Sequence, residues 1–87
     1  MLFLDRQDII ALLPMAECMA AVERAFAAHA LGQLPAAPGV LGTRVPGGGF
    51  HVKTAAVGGA TTFYAAKINA NFPGNPELHG LPARARI

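Results

Sequence analysis

Lysine occurs twice in the chain, at Lys53 and Lys67, and each stands inside an apolar run with strand character. A strand lysine ordinarily keeps its ammonium in water, but one that faces a cleft binds an anion. The distinction turns on strand parity. If the connection after Val57 is the two-residue Gly58-Gly59 turn, Lys67 lies opposite Phe50 and Lys53 opposite Tyr64, and the lysines point to opposite faces. If it is one residue longer, Lys67 lies opposite His51 and Lys53 opposite Ala65, and His51, Lys53 and Lys67 share one face suited to a carboxylate. No Asn-Gly-type signal favours the tight turn, so both pairings stay open. Arg44, just before the glycine turn, is a further candidate, because a guanidinium clamps a carboxylate through two parallel hydrogen bonds.

Other chemistries find less support. The chain has no serine, which removes a Ser-His-Asp site. His29, His51 and His79 lack metal-ligand spacing, and no metal is expected. Cys18 sits in an alanine-rich stretch and reads as a small core residue. Gly47–Gly49 lacks the spacing of a phosphate loop and leads into a strand, not a helix.

Several elements must position these residues. Leu2–Leu4 reads as a short strand. Asp5 is suited to cap a short helix running to about Leu13. Pro14 fits the first turn of a second helix that reaches Leu31, with Met15, Met19, Val22 and Phe26 as a core-facing stripe and Gly32 as its stop. Pro35 and Pro38 mark a loop. Strands are expected at Val40–Val45, Phe50–Val57 and Thr61–Asn69, separated by Pro46–Gly49 and Gly58-Gly59. From Ala70 the density of Pro and Gly reads as a loop rich in Asn. The order gives an α+β fold: an N-terminal strand and two helices packed on a small antiparallel sheet.

With 87 residues the chain forms one small domain, yet 53% of it is hydrophobic and only 14% charged. A small stand-alone domain needs more polar surface, so the sheet is expected to hide one face against a second copy or another domain. Disorder and a disulfide scaffold are excluded by the same composition. No uninterrupted apolar run is long enough for a membrane span, and no secretory start is visible, so a cytoplasmic protein without a membrane partner is expected. The net charge is +2, and Arg84 and Arg86 supply the excess. It reads as a property of the tail, with no case for nucleic acid.

The succession Gly-Gly-Gly-Phe-His-Val-Lys-Thr-Ala from Gly47, followed by Tyr-Ala-Ala-Lys-Ile-Asn-Ala-Asn-Phe-Pro-Gly-Asn-Pro-Glu-Leu-His-Gly-Leu-Pro from Tyr64, resembles the N-terminal region of the ornithine cyclodeaminase/mu-crystallin family. The opening strand, short helix and long helix fit the same family, and the resemblance covers about residues 2–82. It implies a substrate-binding and dimerisation domain built from the two ends of a longer chain around a Rossmann domain that binds NAD(P). Members include ornithine cyclodeaminase, alanine dehydrogenase and reductases of cyclic imino acids, lyases and oxidoreductases of amino acid metabolism. They move a hydride between nicotinamide and the α-carbon of an amino or imino acid. The resemblance assigns Lys67 to the substrate carboxylate and places Lys53, at a position often Met in other members, in the same pocket. It makes Arg44 the candidate for the carboxylate-binding arginine, although at a shorter spacing than in many members.

The sequence also departs from that pattern. After Gly80-Leu81-Pro82 it reads Ala-Arg-Ala-Arg-Ile, a divergent tail over 83–87, and the G-x-G-x-x-G fingerprint, the later substrate arginine and the catalytic aspartate are missing. The resemblance therefore implies a truncated N-terminal fragment, a partial substrate domain over 1–82, without turnover by itself and without NAD(P) bound to this chain alone. The other reading is a small binding or assembly module that forms a homodimer through the sheet or joins a separate Rossmann subunit.

Overall fold

The computed structural model describes residues 1–86. The chain is α+β and divides into a helical unit, Met1–Gln33, and a sheet unit from Leu34 onward.

The helical unit begins with α1, Arg6–Leu12. Asp5 caps it: its carboxylate accepts the Asp8 amide at 2.9 Å, while the Asp8 carboxylate accepts the Asp5 amide at 2.9 Å. This reciprocal box satisfies two amides that the first turn leaves without helical partners. Pro14 then occupies the N-cap of α2, Met15–Ala30. At the far end Gly32 takes φ +67, its amide donates to the His29 carbonyl at 3.1 Å, and the Gln33 amide donates to the Ala28 carbonyl at 2.8 Å. That is a Schellman stop, and the left-handed residue it needs is the glycine the sequence provides.

Two expectations for this unit fail. Leu2–Leu4 is not a strand: three apolar residues make a strand only beside a partner ladder, and they belong to no strand pair. The Met15, Met19, Val22 and Phe26 stripe is not a core either. Met15 is 73% and Phe26 71% exposed, and among the described residues no hydrophobic side chain is buried. Cys18 is half-buried.

The sheet has four antiparallel strands in the order β1, Gly39–Val45; β2, Gly48–Val57; β3, Phe63–Asn71; and β4, Arg84–Arg86. Val45 pairs with Gly48, so the first hairpin turns on two residues. Pro46 supplies the fixed φ of the first central position and Gly47, at φ +85, the second, the requirements of a type II turn. The expected four-residue turn is thus shorter, and β2 starts earlier.

The second hairpin differs from both expected pairings. Val57 pairs with Phe63, leaving Gly58–Thr62 as the connection. Thr61 and Thr62 belong to this loop and not to the strand. His51 consequently lies opposite Asn69, and Lys53 opposite Lys67. Side chains alternate between faces, so a slip of two residues from the longer-loop pairing changes partners and preserves faces.

The segment expected to be a loop from Ala70 is folded. β3 continues to Asn71. The chain then makes a short helix, α3, Asn75–His79, with Gly74 at its N-cap, Pro76 in its first turn and Gly80 at φ +63 behind it. The Asn75 side-chain amide donates to the Pro82 carbonyl at 3.3 Å, and the Phe72 amide donates to the Ala83 carbonyl at 2.7 Å. These bonds bring the chain back alongside β3. Residues 84–86 of the expected tail form β4, which pairs Arg84 with Asn71 and Arg86 with Asn69; Ile87 lies outside the described residues. Behind this hairpin the rings of Phe50 and Phe72 meet edge to face, with centroids 5.5 Å apart. Gly48 lies against the Asn71 carbonyl and the Phe72 ring, leaving no room there for a Cβ.

Candidate anion-binding face

The three ladders are continuous over their paired residues, so residues opposite one another share a face across the sheet. One cross-strand row is Val40, Lys53 and Lys67. The next is Gly42, His51, Asn69 and Arg86, and the third is Arg44, Gly49, Asn71 and Arg84. Every lysine and arginine from Leu34 onward therefore stands on one face, with His51 and two asparagine amides among them. Glu77, on α3, is the one acidic residue in that part of the sequence. The opposite face carries Leu41, Phe50, Val52, Tyr64 and Ile68.

The basic residues span β1 to β4, three strand spacings or about 14 Å, and a similar length along β3. Two adjoining depressions lie on this face. One, about 510 Å³, is lined by His51, Lys67, Asn69, Arg84 and Arg86 among others. The other, about 490 Å³, is lined by Arg44, Gly47, His51 and Asn71 among others. They meet at His51 and Asn71. Lysine and arginine offer only donors, and the asparagines offer donors and acceptors. Such a set of donors is of the kind that attracts and hydrogen-bonds an anion, and among the described residues the paired strand positions of this face carry no carboxylate to compete for the cations.

Of the residues singled out in the sequence, Lys53, Lys67 and His51 are brought together, and Arg44 lies on the same face at the β1 end. Lys53 and Lys67 both also border an apolar depression lined by Val40, Ala55 and Ala65 among others. Arg84 and Arg86, expected in a tail, and Asn71, expected in a loop, join this face, as does Asn69 at the end of the expected third strand. The period-two alternation Lys67-x-Asn69-x-Asn71, and again Arg84-x-Arg86, is the signal that puts each set on one face. The positive excess is accordingly a property of the sheet face and not of the tail alone.

The described residues do not fit a dinucleotide. Every strand pair is antiparallel, there is no β-α-β unit, and the glycine-rich turn at Gly47 opens a strand in place of the helix on which a pyrophosphate rests. Among the described residues no group of His, Cys, Asp and Glu is placed to hold a metal, and no helix is long and apolar enough to cross a membrane. No family model, no curated protein and no solved structure matches the chain.

Proposed function

We propose that the chain is a carboxylate-binding part of a cytoplasmic amino or imino acid enzyme of the ornithine cyclodeaminase type, with Lys67 as the principal anchor, Lys53 beside it and Arg44 at the edge of the face. In that setting NAD(P) and the acid–base group belong to residues other than these. The observation that carries the reading is the Lys53–Lys67 pairing on a sheet face whose paired strand positions, among the described residues, include no acidic residue. Like charges directly opposite one another destabilise a sheet, and an anion held between them removes that penalty. An amide-resolved NMR titration of the full chain with L-proline tests it. The expected result is a saturable set of shifts centred on Lys53 and Lys67 that disappears in Lys67→Ala. Shifts spread evenly over the chain, or no shifts, would rule the reading out.

A second reading, an assembly module that forms a homodimer through the sheet, draws on a different observation. On the face opposite the cations, Leu41 is 66% and Tyr64 70% exposed. Exposed apolar surface of this kind marks an interaction site when it is contiguous. Carboxylate binding and dimerisation use opposite faces and are compatible.

A further inference from the structure

We infer that the basic face selects a ligand with two anionic groups, a dicarboxylate of the acidic amino or imino acid class, over a monocarboxylate and over an amino acid with a cationic side chain. This rests on the carboxylate-binding reading and specifies its substrate class.

Lys67 accounts for one carboxylate. The same depression holds Arg84 and Arg86, which come from a different strand. Arg86 pairs with Asn69, two residues along β3 from Lys67, and is thus the diagonal neighbour of that lysine on the same face. Diagonal neighbours stand about 7–8 Å apart at Cα, within reach of long side chains. Arg84 lies two residues further along, opposite Asn71. A ligand whose first carboxylate meets Lys67 therefore has its other end among guanidinium groups, which take a planar carboxylate through paired hydrogen bonds.

What the face lacks decides the rest. A cationic side chain such as an ornithine ammonium needs a carboxylate partner, and among the described residues the paired strand positions of this face carry none. The other polar side chains near Lys67 are those of Asn69, Asn71 and His51. The asparagine N–H groups can donate to an imine nitrogen or a carbonyl oxygen and the asparagine oxygens can accept from one α-ammonium, but these uncharged amides do not offset a second positive charge. The depression, at about 510 Å³, lies within the range of small-molecule sites and has room for a five-carbon dicarboxylate.

The test is a calorimetric titration of the full chain at low salt with four probes: 2-oxoglutarate, L-glutamate, L-alanine and L-ornithine. The expected order places the two dicarboxylates at least tenfold tighter than alanine, with ornithine weakest. In the Arg84→Gln/Arg86→Gln double variant, checked by circular dichroism for retained structure, the dicarboxylate advantage over alanine falls to less than threefold. Equal affinity for alanine and the dicarboxylates, or tighter binding of ornithine, overturns the selectivity and leaves carboxylate binding standing. Failure of all four probes to bind overturns both.

Discussion

Lys53 and Lys67 face each other directly across β2 and β3, on the sheet face that also carries Arg44, His51, Arg84 and Arg86. Their pairing puts two ammonium-bearing stems at neighbouring positions where a sheet built for stability alone would place opposite charges or apolar residues.

Replacing one of them with an acid inverts that relationship. Lys53→Glu creates an opposite-charge cross-strand pair, of a kind that stabilises sheets by about 0.2–1 kcal/mol relative to alanines. The variant is expected to unfold at higher urea concentration than the wild type while binding carboxylates at least tenfold more weakly. Urea denaturation followed by circular dichroism, and calorimetry on the same sample, read the two effects. A midpoint that falls would contradict the like-charge account.

Anion binding on an exposed face is sensitive to ionic strength. The Debye length shrinks from about 10 Å at 0.1 M to about 3 Å at 1 M salt, less than the extent of the basic face. The dissociation constant for 2-oxoglutarate is expected to rise at least fivefold on raising sodium chloride from about 20 mM to about 300 mM. Alanine should respond less. A salt-independent constant would place the ligand elsewhere.

Gly47 and Gly48, at the turn of the first hairpin, should behave differently. Gly47→Ala meets no neighbouring atom but forces an alanine to φ +85, at a cost of about 1–2 kcal/mol. Gly48→Ala drives a Cβ into the Asn71 carbonyl and to 2.6 Å from the Phe72 Cδ1 atom, an overpacking that typically costs about 1–3 kcal/mol. The second variant is expected to shift the amide resonances of Asn71 and Phe72 and to weaken β4 pairing, whereas the first leaves those resonances in place. Hydrogen exchange at Phe72, whose amide donates to the Ala83 carbonyl, monitors the difference.

Removing the capping box at α1 tests the helical unit on its own. Asp5→Ala leaves the Asp8 amide without its carboxylate acceptor and should cost about 1 kcal/mol of helix stability. The amide exchange rates of Arg6 to Ile9 are expected to rise severalfold, while those of β2 and β3 remain unchanged. Uniform acceleration throughout the chain would contradict a local cap.

Much of this architecture was legible from residue chemistry. Asp5, Pro14 and Gly32 punctuate the helices because each has a local backbone role that no distant partner alters. The Pro46–Gly47 turn and β1 to β3 follow from turn chemistry and apolar runs in the same way. What escaped depends on pairing across distance. Leu2–Leu4 has strand composition without a ladder to join. Arg84–Arg86 has a strand only because the Asn75 side chain and the Phe72 amide bring residues 82 and 83 back beside β3. The α3 signals, Pro76 in the first turn and Gly80 after the last, were masked by neighbouring Pro and Gly that read as breakers. In the second hairpin, face parity was within reach of the sequence, but the Lys53–Lys67 pairing required the loop length, and nothing in Gly58–Thr62 specifies five residues.

Lys67 is the residue on which the proposed carboxylate binding most directly depends. Calorimetric titration of L-glutamate into the wild-type chain and into Lys67→Ala, side by side at low salt, measures that dependence. Saturable binding in the wild type that weakens at least tenfold in the variant, with the circular dichroism spectrum retained, is the predicted result. Equal affinity in the two proteins, or none in the wild type, would contradict it.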